Sequence, residues 1–204
     1  RFIYYSRSAT GEKSGLYLSS LDDPRGKFLC DSRTNAQYAP PGYLLYIREK
    51  SLVAHRFDPD KGECFGEPVS VSEDVGYRQN WGAAAFAVSQ NGVLVIASGG
   101  SGERELNWVE RSGKFLGQTG VSGMVFDLAL SPDERRVVFR KIDASTRNQD
   151  LWLLDLARST QSRFTFDASI DDDPVWSPDG TTIAFDTQPN GLANLQTKAA
   201  TGAG

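Results

Sequence analysis

The chain has few residues of the types that usually carry out chemistry. Its single histidine is His55, and its two cysteines, Cys30 and Cys64, lie far apart in the sequence. Zinc sites with histidine and cysteine ligands draw on closely spaced ligand pairs, which this sequence lacks. A hydrolytic triad would need a Gly-x-Ser-x-Gly turn to present its nucleophile, and no such turn occurs. We therefore expect no catalytic residue, no metal ligand and no cofactor, and we expect His55 to be an ordinary strand residue.

The two cysteines leave two alternatives open. A disulfide requires that their Cα atoms come within about 7 Å of each other. Two isolated thiols are favoured, because a fold built on disulfides would contain more cysteines than two.

Two further segments have compositions that can bind ions. Asp171-Asp172-Asp173 could contribute carboxylates to a calcium site, but it lacks the alternating ligand spacing of an EF-hand loop, which favours a solvated or turn-forming run. Gly99-Gly100-Ser101-Gly102 has neither the spacing of a phosphate-binding loop nor a following helix, so we expect a hairpin loop. Protein-kinase motifs are also absent from this chain.

The charge balance excludes several classes of partner. The chain has 22 Lys and Arg against 26 Asp and Glu, a formal net charge of −4, and no basic cluster. Nucleic acids and anionic membrane surfaces bind to clustered cations, so we expect neither as a partner. No apolar run approaches the roughly 18 to 20 residues that insert across a bilayer. Because the chain starts at Arg1 without a Met or a leader, we expect it to be part of a larger or a processed protein.

One motif recurs four times and indicates a repeat architecture. In each copy a tight turn joins two β-rich runs, and the turns start at residues 39, 89, 131 and 177. Pro presets φ in such turns, Asp and Asn bond the nearby backbone, and Gly permits positive φ. Glu134 replaces Gly in the third copy, where we expect a strained or differently shaped turn. The residues assigned to these structural turns are Pro41, Gly42, Asn91, Gly92, Pro132, Asp133, Pro178, Asp179 and Gly180.

Short strands at a period of about forty to fifty residues are typical of β-propellers, whose blades are four-stranded antiparallel sheets. We predict an all-β fold of this kind that contains four to five blades of a larger ring. The first copy lacks its first strand and the fifth its last, so we expect the chain to be sticky or marginally stable alone. The predicted copies are 38–82, 83–122 and 123–168, with partial copies at 1–37 and 169–204.

The fourth strand of each copy is predicted to be short. Lys114–Leu116 and Arg163–Phe166 are two such strands, each following a polar turn. Each copy also places aromatic residues at or beside its strands. Trp108, Trp152 and Trp176 fall at or next to strands, and we expect them to fill the space between blades.

Three segments make the repeats specific, because they combine the turn with a characteristic apolar pattern. They are Leu128–Asp133, Asp150–Leu156 and Asp173–Gly180. With these segments the chain resembles the WD-repeat-like β-propeller repeats of the TolB family. The resemblance implies a six-bladed ring, usually extracytoplasmic, that binds proteins or small ligands and performs no chemistry. It also implies a structural role for Asp173, which precedes Pro174 and would accept backbone N–H bonds in the loop that enters a strand.

The order of segments further resembles the propeller fused behind a kinase domain and a membrane anchor in many bacterial serine/threonine kinases. This resemblance implies a noncatalytic sensor module on the periplasmic or cell-surface side. Two alternatives stay open: a free-standing periplasmic TolB-like scaffold, and the gating propeller of a serine peptidase resembling prolyl oligopeptidases. The segments that carry the resemblance are Ala39–Tyr46, Phe57-Asp58, Gly66–Val69, Phe86–Ser89, Asp155–Arg158 and Arg163–Asp167.

One polar run between copies is our candidate for contact with a partner. Loops on a rigid scaffold commonly carry recognition residues. In the run 77–82 we therefore predict that Tyr77, Arg78, Asn80 and Trp81 contact a protein, a peptide or a small ligand at the face of the propeller.

Overall fold

A computed structural model describes residues 1–7, 13–73, 75–78, 83–98, 103–110 and 112–202. Within these ranges the chain forms nineteen β-strands joined by turns, and no helix. The prediction of an all-β fold is confirmed. Each strand pairs antiparallel with the next strand of its sheet, as expected for strands joined by short hairpins.

The strands form five consecutive sheets and one short ribbon. The first sheet contains β1 (Phe2–Ser6), β2 (Gly15–Ser19) and β3 (Lys27–Cys30); the second contains β4 (Gln37–Ala39), β5 (Tyr43–Arg48), β6 (Ser51–Asp58) and β7 (Glu63–Ser72). The ribbon is β8 (Tyr77–Arg78) with β9 (Ala83–Ala84). The third sheet contains β10 (Phe86–Val88), β11 (Leu94–Ser98), β12 (Arg104–Val109) and the first part of β13 (Phe115–Leu130). The fourth contains the rest of β13 with β14 (Arg136–Ile142), β15 (Gln149–Asp155) and β16 (Thr160–Arg163); the fifth contains β17 (Asp171–Trp176), β18 (Thr182–Thr187) and β19 (Asn194–Ala199).

Strand β13 belongs to two sheets. Gly123 pairs with Arg104 of the third sheet, and the next residue, Met124, pairs with Ile142 of the fourth. The short strand predicted at Lys114–Leu116 is therefore the beginning of a strand of 16 residues. Gly120, with a φ of 80°, lets this strand bend without ending.

Strand β16 differs from the prediction in its position. It ends at Arg163, where the prediction placed its beginning. Beyond it the amides of Phe164 and Thr165 both donate to the Leu151 carbonyl, and the Thr165 hydroxyl accepts from the Leu151 amide. The Thr165 side chain thus replaces a backbone carbonyl as the acceptor for the Leu151 amide. Regular strand pairing therefore stops, although the chain continues beside β15.

Four apolar clusters hold the five sheets together, and each lies between two consecutive sheets. On β5, Leu44 and Tyr46 face the first sheet, whereas Leu45 and Ile47 face the third. The middle of this strand is therefore a run of consecutive apolar residues, because both of its faces are buried. Each buried side chain of this size contributes roughly 1.5 to 3 kcal/mol relative to an exposed one.

The tryptophans differ in their burial. Trp176 is buried between the fourth and fifth sheets, where its Nε1 donates to the Ala129 carbonyl at 3.1 Å. Trp108 and Trp152 are only partly buried and pack against the cluster between the third and fourth sheets.

Polar contacts also join sheets. The Gln37 side-chain amide donates to the Phe86 carbonyl at 2.9 Å and accepts from the Val88 amide at 3.1 Å.

Candidate functional site

An open cavity of about 920 Å³ lies where the inner ends of the five sheets meet. Each sheet contributes lining residues, so the cavity depends on the arrangement of all of them. Val175 of β17 is the most exposed large apolar residue of the lining, with 62% of its surface accessible. The lining includes Ile3, Tyr5, Gln37, Val88, Gln90, Asp127, Leu130, Glu134, Asp173 and Trp176.

Repeat turns stand at the rim of this cavity. The Ser131 hydroxyl donates to Asp133 at 2.6 Å, and the Ser177 hydroxyl donates to Asp179 at the same distance. These bonds have the largest effect in holding the pKa values of both carboxyls below the usual range, and bonds from nearby backbone amides add to it. The turn glycines Gly42, Gly92 and Gly180 have φ values of 97°, 87° and 69°.

Glu134 occupies a left-handed position, with a φ of 60°, where the other turns use glycine. Its carboxylate accepts from the Asn91 side chain at 3.1 Å and from the Asn91 amide at 3.3 Å. Asn91 lies in the corresponding turn of the preceding sheet. The residue that departs from the repeat thus joins two neighbouring turns, which offsets the cost of its backbone conformation.

A charged cluster lies behind the cavity wall. Arg140 of β14 is 2% exposed, and its Nε lies 2.8 Å from the Asp127 carboxylate. Its Nη1 lies 3.6 Å from Asp172 of the fifth sheet and donates to Gln149 at 2.8 Å. The guanidinium also stands over the Phe126 ring, 4.8 Å from its centroid. Because both carboxylates are buried, this one cation fixes the inner strands of two sheets relative to each other.

The acidic run 171–173 does not gather around one point. Asp171 is fully buried beside the Thr187 and Thr165 hydroxyls, and burial raises its pKa. Asp172 faces Arg140, whereas Asp173 is exposed in the cavity lining. The bulge at Asp173 interrupts the regular alternation of the strand, and among the described residues these three carboxylates are not a group close enough to hold one metal ion.

The assignment of Asp173 to a loop turn is wrong. Asp173 lies inside β17, at an irregularity of the pairing between Asp172 and Val175, with a φ of 47°. Asp127 has the same place in β13, with a φ of 49°. Both are left-handed residues of a bulge, a conformation that aspartate tolerates better than most residues do. The two aspartates therefore mark bulged strands at the cavity, and only Asp173 is followed by a proline.

The predicted contact run is only partly described. The backbone of Tyr77 and Arg78 forms β8, which pairs with β9. Asn80 and Trp81 lie outside the described residues, so their role stays a prediction.

Three residues that sequence reasoning treated as isolated are brought together by the fold. Cys30 ends β3, His55 lies in β6 and Cys64 in β7. Their ligand atoms all lie within 4.8 Å of one another. The Tyr46 hydroxyl is 3.0 Å from His55 Nδ1, and His55 Nε2 is 2.9 Å from the Gly66 carbonyl. No spacing motif predicts this group, because it forms across the interface between two sheets.

The two thiols affect each other's ionisation. A hydrogen bond from Cys64 lowers the pKa of Cys30 to about 6, against the opposing effect of burial. The same contact, with burial, raises the pKa of Cys64. The pair therefore loses its first proton easily and its second with difficulty.

Comparison with solved structures identifies the arrangement of the sheets. TolB from Acinetobacter baumannii matches with a TM-score of 0.69 at 18% identity, over 92% of this chain and 47% of that one. A TolB homologue from Agrobacterium tumefaciens matches with a TM-score of 0.65 at 19% identity, over 83% of this chain and 58% of that one. A structure of a nidogen and laminin complex matches with a TM-score of 0.63 at 10% identity, over 90% of this chain and 70% of that one.

The chain folds as part of a β-propeller. Its five sheets are blades, its four apolar clusters are the interfaces between blades, and its cavity is the centre of the arc. The chain spans about half the length of the TolB structures that it matches. No protein-family model and no curated protein matches the sequence. Among the described residues of the propeller, no helix has the length and apolar character to cross a membrane.

Proposed function

We propose that this propeller segment is a noncatalytic binding module that holds a segment of a protein partner, or a small ligand, in its central cavity. The observation that carries the proposal is the convergence of all five blades on one open cavity. Propellers are rigid frames whose central faces display side chains from every blade. Such a surface favours recognition of one ligand by several blades together.

The chemistry of the lining favours a neutral or cationic ligand. Among the described residues of the lining there are three acids, Asp127, Glu134 and Asp173, and no Lys or Arg. Asp127 is neutralised by Arg140, but Asp173 is exposed. Val175 and Trp176 add apolar surface beside them. A peptide segment with apolar and basic side chains suits this combination better than a nucleotide or an anionic lipid does.

We place the module in an extracytoplasmic sensor of a membrane-anchored bacterial serine/threonine kinase. The order of segments from Ala39–Tyr46 to Arg163–Asp167 supports this placement. The likeness to two bacterial TolB structures and to a propeller solved in a complex with laminin supports a role in protein binding. Ligand binding outside the cell would then change the association of the parent chains and so the kinase inside.

The parent reading frame and the kinase output test this placement together. We expect an upstream kinase domain followed by about 20 apolar residues, the length that crosses a bilayer. Deleting the propeller from that protein should change kinase autophosphorylation in cells. A leader peptide with no catalytic domain would make the chain a free-standing periplasmic scaffold instead, and unchanged autophosphorylation after deletion would rule out a sensor role.

A further inference from the structure

The interface between the first and second blades contains a group of soft ligand atoms at its outer edge. Cys30 comes from the first blade, and His55 and Cys64 come from the second. Within the described ranges, they form the only group of three or more His, Cys, Asp or Glu residues close enough to hold one metal ion. Both cysteines are half-buried and His55 is buried, so the group is partly shielded from water.

The imidazole of His55 is already oriented as a metal ligand. The Gly66 carbonyl can only accept a hydrogen bond, so His55 Nε2 carries the ring proton and donates it at 2.9 Å. Nδ1 then bears the free lone pair. Metal-bound histidines almost always donate their other ring N–H to a carbonyl or a carboxylate in this way.

The lone pair of Nδ1 faces the cysteines. The Tyr46 hydroxyl lies 3.0 Å from Nδ1, and both Tyr46 and His55 help to lower the pKa of Cys30, so the phenol, the imidazole and this thiol are neighbours. Tyr46 is 1% exposed, so it cannot move away into solvent. When a cation takes the Nδ1 lone pair, the Tyr46 hydroxyl can donate to the Cys30 sulfur instead, and no buried polar group loses its partner.

The distances fit a small tetrahedral cation. Zinc lies about 2.3 Å from thiolate sulfur and about 2.0 Å from imidazole nitrogen, so two ligand atoms of one tetrahedral ion stand roughly 3.4 to 3.8 Å apart. The three ligand atoms here are within 4.8 Å of one another. A closing movement of about 1 Å at the strand ends would therefore complete the site.

We propose that Cys30, His55 and Cys64 bind one borderline-soft cation such as Zn²⁺, with water as the fourth ligand. Two thiolates and an imidazole are the donor set that such a cation prefers over Mg²⁺ or Ca²⁺. Binding releases the thiol protons to solvent, and no oxidation or reduction takes place. The ion joins the first blade to the second at their outer edge, so its role is structural and independent of ligand binding in the central cavity.

Metal titration of the reduced protein tests the proposal. After the free thiols are counted, Zn²⁺ is added in competition with a chromogenic chelator, and Co²⁺ is used as a spectroscopic probe. We expect one equivalent of either metal, with sulfur-to-cobalt charge-transfer bands and the intense visible bands of tetrahedral Co²⁺. The substitutions Cys30→Ser, Cys64→Ser and His55→Gln should each weaken Zn²⁺ binding by about tenfold or more.

Tyr46→Phe is the matched control, because it removes only the hydroxyl that competes for Nδ1 and keeps all three ligand atoms. It should keep the 1:1 stoichiometry and the cobalt spectrum. Zn²⁺ should also raise the thermal midpoint of the wild type and of Tyr46→Phe but not that of Cys30→Ser, which separates metal binding from a folding defect.

Three outcomes would overturn the proposal. One is reduced wild-type protein that binds no stoichiometric Zn²⁺. Another is a Cys30→Ser variant that binds it as tightly as the wild type. The last is a Cys30–Cys64 disulfide that forms in air, in a protein whose reduced form does not bind the metal. The pair would then be a covalent link between blades.

Discussion

Two polar clusters at the interfaces between blades differ in kind. Between the fourth and fifth blades, Arg140 meets Asp127 and Asp172 close to the central cavity, and all three side chains are buried. Between the first and second blades, Cys30, His55 and Cys64 meet at the outer edge, and both thiols are partly accessible.

The two clusters differ in the partners of their polar atoms. The charged cluster is complete, because each carboxylate already has the guanidinium as its partner, and it holds the bulged strands β13 and β17 in place. In the thiol and imidazole cluster the ligand atoms lie within 4.8 Å of one another, and the proposed cation would replace the hydrogen bond from Tyr46 to His55 Nδ1. The buried ion pairs hold the strands that line the cavity, whereas the half-buried cysteines and His55 are the proposed ligands of a cation.

The largest effect is expected from removing the cation of the charged cluster. Arg140→Met keeps much of the side-chain length but leaves Asp127 and Asp172 buried without a counter-charge. Breaking a buried pair in this way costs about 3 to 5 kcal/mol. Denaturant unfolding measures this loss.

The exposed pair between Arg158 and Asp155 provides the control. Arg158→Met should change the free energy of unfolding little, because solvent screens that pair. Equal losses in the two variants would show that Arg140 contributes through packing alone and would remove the distinction between the clusters.

A smaller effect of opposite sign is expected at Asp171. Burial raises the pKa of Asp171 above its value in the unfolded chain. The contribution of this carboxyl to the free energy of unfolding is therefore most favourable at acid pH. It falls as the pH rises through the pKa of the unfolded chain and then through that of the folded chain. Asp171→Asn removes the ionisable group. The variant should therefore gain stability over the wild type as the pH goes from about 3 to 7, because the unfolded carboxyl titrates near 4.

Unfolding curves across this pH range check the sign. Asp173→Asn on the same strand is the control, because its carboxylate is exposed and carries no comparable burial cost. A gain at Asp171 that does not vary with pH would point to altered packing rather than to the buried charge.

Much of the fold follows from local signals. The turns near Gly42, Gly92 and Gly180 and the apolar second strands predict hairpins, because turn chemistry and strand periodicity act over a few residues. The β-propeller architecture could be predicted because these signals repeat. The length of β13 and the end of β16 could not, since both depend on which neighbour continues the hydrogen-bond ladder.

The sites are harder to predict than the fold. Cys30 and His55 are brought together by the packing of one blade on another, which leaves no spacing motif in the sequence. The resemblance implies a loop position for Asp173, but here the residue belongs to a bulge at the cavity. Glu134 was expected to strain its turn, and its left-handed φ agrees, but its bond to Asn91 needed the neighbouring blade.

Site-specific photo-crosslinking in the full-length protein tests the central claim, that ligand binds in the cavity, most directly. A photoreactive amino acid replaces Val175 in the cavity lining, and the same residue replaces Phe115 as a control, because Phe115 is similarly exposed, at 59%, but lies outside the lining. The account predicts a discrete adduct in the native cell from position 175, weakened by Asp173→Lys, and none from position 115. Equal labelling at both positions, or a discrete adduct from position 115 alone, would contradict it.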